Sequence, residues 1–237
     1  YALPGQQADF HRAWKALQDS APDLVWTPRN EGHWIALRGD VLKTVQSDYE
    51  RFSNRIIVLP KSVGEQHGLI PTTIDPPEHR PYRKLLNEGM ALSVVRHMQP
   101  RIRAGAAELI DGFVTAGRCD FTAEYAEVFP IRIFLALVDI PIADAEKIRF
   151  WATCMTRPGQ PMSFEEAKQA FFAYCDPIIT ARRAKPGDDL ISHVVNADMG
   201  GRVLDHAEAL ALTTQILIAG VDTVVNFLGF VMLHLAR

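Results

Sequence analysis

Residues 218–223, IAGVDT, set a glycine, a carboxylate and a hydroxyl side by side inside QILIAGVDTVVNFLGFVML, one of the most apolar runs of the chain. A carboxylate in apolar surroundings is costly unless a cation or hydrogen-bond donors meet it, and otherwise it takes up a proton. Asp222 is therefore a group that holds or passes a proton. Thr223 is spaced to donate to the carbonyl of Ala219, four residues back, a bond that bends helices. Gly220 removes bulk from the same turn and lets something approach the backbone closely. The pattern describes a locally opened helix with an acid–alcohol pair beside a small-residue notch. Two plainer arrangements remain open on these residues alone. One is a kinked core helix whose Asp222 is met by an arginine elsewhere. The other is a run that breaks in two, with Asp222 capping the second half.

A second constellation is basic. His79 and Arg83 share one face of a helix at i, i+4, and Arg80 and Lys84 share a neighbouring one. Taken alone this is a solvated basic stripe. Gln215 lies two turns before Thr223, on the face that also carries Ala219, a polar group in an apolar setting. Cys119, Cys154 and Cys175 are sparse and form no CxxC, which suits a reducing cytoplasm better than a disulfide framework. The eight histidines contain no HExxH or comparable metal-ligand spacing.

The elements that must position these groups are mostly helical. Residues 7–18 carry Phe10, Trp14 and Leu17 on one face, and LVWTP (24–28) and HWIALR (33–38) form a hairpin around RNEG. A short helix follows near 42–46, and 51–74 lacks periodicity, as a functional connection would. In DPPEHRPYRKLLNEGM, Asp75 caps a helix that begins at Pro76, with Glu78 at the reciprocal capping position. Further helices are predicted over 94–116, 121–138, 144–155, 163–183 and 188–196. Asp205 and Glu208 form another capping box, opening one continuous, buried helix to the end of the chain. The whole is mainly α and reads as one unit, a helical bundle with a small N-terminal β-sheet.

With 237 residues, 48% hydrophobic, 22% charged and a net charge of -3, the composition is that of a globular protein. The slight acidity argues against nucleic acid as a partner of the whole surface. Asp222, Thr223 and Asn226 interrupt the apolar run, so no membrane span is expected, and the expected location is cytoplasmic.

AGVDT on a long helix resembles the oxygen-binding groove of the cytochrome P450 superfamily of haem-thiolate monooxygenases. RFSN (51–54), DPPEHRPYR (75–83), CDFTAEYAEVFPIRIF (119–134), KPGDDLIS (185–192) and AGVDTVVNF (219–227) occur in that family's order. They are most similar to the bacterial camphor-hydroxylase branch. The resemblance implies a P450 fold with haem b as cofactor, dioxygen as co-substrate and a [2Fe-2S] ferredoxin as electron donor. It makes Ala219 and Gly220 the notch over the haem, Thr223 the hydrogen-bond donor toward dioxygen and Asp222 the proton relay, with Arg157 as the acid's cation partner. His79 and Arg83 would bind the haem propionates, with Pro71 and Thr72 also at the cofactor. Arg80 and Lys84 would face the ferredoxin. Val58, His67, Leu69, Thr156, Gln215 and Ile218 would line the substrate site. His67 and Leu69 replace a tyrosine and a phenylalanine of that branch, and Gln215 replaces a leucine. These departures move the expected substrate from camphor to a small terpenoid or norisoprenoid with one polar group.

The family's iron-ligating Phe-x-x-Gly-x-x-x-Cys-x-Gly loop and its Glu-x-x-Arg motif are not in the sequence. Residues 1–237 are therefore expected to be the N-terminal part of a single catalytic domain, with no metal ligand of their own. Two other classes compete: a helical small-molecule-binding protein without redox chemistry, which needs no proton relay, and a helical scaffold, which needs no pocket-like 55–74 loop.

Overall fold

The computed structural model describes residues 3–157, 159–221 and 223–236, so Asp222 lies outside the described residues. Contacts divide the chain into two compact units: Tyr1–Gly68 with Thr72–Glu78, and Leu69–Pro71 with His79–Arg237.

In the first unit α1 (Phe10–Ser20) is capped by Asp9, whose carboxylate accepts from the N–H of Arg12. The hairpin predicted from the sequence is present. Strand β1 (Leu24–Thr27) pairs antiparallel with β2 (His33–Ala36), and Trp26 faces Trp34 edge-on at 5.4 Å. After α2 (Gly39–Ser47) the chain is irregular but for the single turn α3 (Lys61–Gly64), as expected of 51–74. Asp75 does not cap a helix, which corrects the sequence expectation. Its carboxylate accepts from Ser53 Oγ at 2.5 Å and the N–H of Asn54 at 2.7 Å, and lies 3.6 Å from Arg55. Committed to the RFSN segment, it leaves the next helix to start three residues after Pro76.

That helix, α4 (His79–Gly89), opens the second unit. It is followed by α5 (Leu92–Val114), a π turn (Thr122–Ala126), α6 (Phe129–Leu137), a 3-10 turn (Ile142–Asp144), α7 (Ala145–Thr156), α8 (Phe164–Ala184), α9 (Leu190–Asn196), α10 (His206–Ala219) and α11 (Thr223–Leu235). The helix predicted over 121–138 is thus divided. Pro130, which has no N–H to donate, sits in the opening turn of α6 where none is needed. Capping boxes open α8 through Ser163 and Glu166 and α10 through Asp205 and Glu208, the second as predicted.

The core of this unit gathers Ile148, Phe171, Ile179, Ile191, Val194, Leu212 and Leu217 from α7, α8, α9 and α10. Helix α10 is buried on nearly every side, including Thr213 and Thr214. The single buried rod expected from 205 onward is instead two helices. None of the described residues of α11 is buried, and Phe227, Phe230 and Leu235 are each more than half exposed. By length and composition alone, His206–Leu235 is also apolar enough to cross a membrane, with a hydropathy of 2.1. Core helices pass the same test, and α10 is a core helix.

Candidate functional site

The site is built on the C-terminal half of α10. Its N-terminal end is held by a polar clamp: Tyr82 of α4 donates its hydroxyl to Glu208 at 2.5 Å, and Arg202 donates to both Glu208 oxygens at 2.5 and 2.8 Å. Glu208 also accepts from the backbone N–H of Asp205 at 2.7 Å. The Arg202 guanidinium, helped by Tyr82 and that N–H, holds the Glu208 carboxyl down at about 2. Burial and the neighbouring carboxylate raise the Tyr82 phenol above its usual value.

Three turns further on, Gln215, Ala219 and Thr223 follow at four-residue spacing, Gln215 half-buried and the other two exposed. The Thr223 hydroxyl donates to the Ala219 carbonyl at 3.2 Å, the back-bond predicted from the sequence. Gly220 ends α10 with φ -82° and ψ -7°, and its N–H donates to the Ile216 carbonyl at 3.2 Å. The two residues of the predicted notch, Ala219 and Gly220, have different surroundings. A Cβ on Gly220 would lie 2.3 Å from two ring carbons of Phe134, so an aromatic side chain of α6 already occupies that side. The open side is the one that carries Ala219 and Thr223.

Among the other predicted positions in this unit, Ile218 is half-buried against the core. Thr156, the last residue of α7, is exposed and donates to the Ala152 carbonyl at 2.8 Å. Leu69 is wholly buried in the hydrophobic core and Pro71 is also buried. His79, Arg80, Arg83 and Lys84 line one open cleft of about 450 Å³ with Asn87, Glu88 and Ala91. Within it Lys84 lies 3.7 Å from Glu88, so part of its charge is answered locally. Arg157 is exposed at the end of α7, while its expected partner Asp222 is outside the described residues.

Val58, His67 and Thr72 belong to the first unit. The loop there folds tightly on itself: a Cβ on Gly64 would stand 2.5 Å from the Val58 carbonyl oxygen, and the N–H of His67 donates to the Gly64 carbonyl at 3.1 Å. His67 is buried, Val58 and Thr72 half-buried.

Cys154 and Cys175 are buried and Cys119 is exposed. Burial pushes the Cys175 thiol up to about 12, against a contact from Thr214, so it stays protonated and is no thiolate ligand. Among the described residues no group of three or more His, Cys, Asp or Glu is arranged to hold a metal. The second unit offers a flat, dianionic macrocycle an exposed Ala219–Thr223 face with a hydroxyl and the donors His79, Arg80, Arg83 and Lys84 of one cleft, a donor set that suits haem propionates. Phe134, Tyr82 and Arg202 escaped the sequence reading. Phe134 and Tyr82 act through partners distant in the chain, 126 residues away for Tyr82 and Glu208, and Arg202 reaches Glu208 across a six-residue turn; no spacing rule reports these.

No family model matches the chain. Among curated proteins it is 30% identical to a probable cytochrome P450 127A1 of Sinorhizobium fredii, over 99% of this chain and 58% of that one. It is 31% identical to the erythromycin C-12 hydroxylase of Saccharopolyspora erythraea, over 86% of this chain and 53% of the relative. The crystal structure of CYP101J2 superposes with a TM-score of 0.87 and 45% identity, covering 96% of this chain and 57% of its own. That of CYP101C1 gives 0.84 and 39%, covering 99% and 58%. The chain thus spans a little over half the length of the relatives it matches. The fold and the relatives define a helical class of protein whose members imply a haem cofactor. The chain belongs to the cytochrome P450 superfamily, as its motif order predicted, and the cofactor implied is haem held by a cysteine thiolate.

Proposed function

We propose that the full-length protein is a haem-thiolate monooxygenase that hydroxylates a small, largely apolar terpenoid or norisoprenoid, and that residues 1–237 form the N-terminal part of its single catalytic domain. The observation that carries this is the open Ala219–Thr223 face at the end of a buried helix, in a chain whose relatives are cytochromes P450. When bound, the haem supplies activation of dioxygen for insertion of one oxygen atom into an unactivated C–H bond.

The chain's own residues do the rest. The donors His79 and Arg83 bind the propionates, with the Arg guanidinium matched to a planar carboxylate; by the family resemblance Pro71 and Thr72 are cofactor residues as well. Ala219 leaves room at the face because a methyl group is all it presents. Thr223 holds a proton at Oγ1, which now points to the Ala219 carbonyl, and can turn it toward the open face. Asp222 passes protons from solvent to that hydroxyl, a transfer that an entirely dry pocket could not sustain. Ile218 keeps water out and Gln215 offers the substrate one hydrogen bond, with Leu69 and Thr156 as further substrate residues of this unit; by the family resemblance Val58 and His67 of the first unit are substrate residues too. Leu69 acts from within the core, through its packing. Electrons come from a [2Fe-2S] ferredoxin steered by Arg80 and by the Lys84 charge that Glu88 leaves unanswered.

The reduced, CO-bound absorption spectrum of the full-length protein tests this. A strongly red-shifted Soret band is expected, and no Soret band at all would end the enzyme reading.

A further inference from the structure

Gly220 is required by space, and the space is taken by one side chain. Its φ and ψ, -82° and -7°, are ordinary right-handed values that any residue adopts, so backbone freedom does not explain the glycine. The explanation is the ring of Phe134. Cδ2 and Cε2 lie 2.3 Å, and Cγ 2.4 Å, from where a Cβ would be, far inside any real carbon–carbon contact.

The contact falls where the helical run from His206 to Leu235 is divided. There the N–H of Val221 reaches the Ile218 carbonyl at 3.5 Å, a tightened turn, and α11 begins at Thr223. No described residue of α11 is buried, and the element it packs against most is the π turn Thr122–Ala126, just before α6 in the chain. Phe134 is itself packed against the core, so its ring transmits the core's rigidity to the junction.

We infer that Phe134 is a positioning residue for Thr223: its ring, wedged against Gly220, fixes the α10–α11 junction and so sets where the Thr223 hydroxyl stands. The inference rests on the monooxygenase reading only for its catalytic consequence, because the mechanical part concerns the protein alone.

The test uses the full-length protein with Phe134→Leu, Gly220→Ala and the double variant. Two readouts are compared: amide hydrogen exchange across 216–226, and product formed per reductant consumed. In Phe134→Leu the wedge is lost, exchange at 219–224 rises about tenfold and coupling falls at least about threefold, with the CO-bound spectrum unchanged. Gly220→Ala produces the same two changes by driving the ring away. The double variant recovers more than half of the loss caused by Gly220→Ala, since leucine lacks the ring atoms that meet the added methyl group; contacting residues show such non-additivity. Should Gly220→Ala fail to fold, Phe134→Leu decides alone. Unchanged exchange and coupling in Phe134→Leu, or strictly additive effects in the double variant, would overturn the inference. A wild-type protein without the red-shifted band would instead sink the monooxygenase reading and the catalytic half of this one, while the exchange measurement still judged the wedge.

Discussion

At the scale of single residues, the Thr223 hydroxyl donates to the Ala219 carbonyl, and Thr223 is exposed among the described residues. Replacing it by alanine removes a proton donor and almost no packing. Thr223→Ala should therefore leave stability within about 0.5 kcal/mol, as surface substitutions do. Its effect should be chemical: reductant consumed without product, released as peroxide, measured as a several-fold drop in coupling. Full coupling in that variant would remove Thr223 from the mechanism. Asp222→Asn keeps the shape and removes the ionisable proton. It should slow turnover by roughly tenfold or more, the size expected of a positioned acid–base group. An unchanged rate would favour an ion pair with Arg157 as the acid's only role.

Among elements, the clamp of Tyr82, Arg202 and Glu208 ties the helix that carries His79 and Arg83 to the start of the helix that carries Ala219. Its hydrogen bonds involve charged groups; the Tyr82–Glu208 bond is part-buried, with the Glu208 side chain 19% exposed, whereas that of Arg202 is 52% exposed. Tyr82→Phe removes the bond donated to Glu208 and the long 3.5 Å bond accepted from Arg202, and should cost about 1–2 kcal/mol in denaturant unfolding. Glu208→Ala removes the clamp and the capping box together and should cost distinctly more than Tyr82→Phe. Equal losses would mean that the box and the clamp do not share Glu208 in solution. Propionate binding belongs to this scale too, because His79 and Arg83 can grip a cofactor only if α4 keeps its seat beside α10.

For the molecule as a whole, stability should fall with acid in a window set by Glu208. Its folded value of about 2 lies below the ordinary 4.5, so the ionised carboxylate favours the folded chain at pH above about 4.5. That contribution fades as the pH drops from there through about 2, below which the group is protonated folded or unfolded. Asp144, held low by Lys147 and by the Tyr174 hydroxyl, adds in the same direction. Thermal unfolding followed between pH 6 and pH 2 should show this decline, and Glu208→Gln should flatten it. An acid limb as steep in Glu208→Gln as in the wild type would assign the effect to other carboxylates.

Local chemistry was legible from the residues themselves. The hairpin around RNEG, the irregular 51–74 stretch, the Asp205–Glu208 box and the Thr223 back-bond all depend on neighbours within a few positions, which spacing rules describe. The motif order that marked the superfamily is equally a property of the string. Tertiary structure alone decided the rest. It gave Asp75 to Ser53 and Asn54 instead of a helix start, buried Leu69 in the core, divided the last apolar run after Ala219 and put Phe134 in the space beside Gly220. In each case a single atom or gap was claimed by a group far away in sequence. Which distant group arrives there is settled by packing, and packing leaves no periodicity to read.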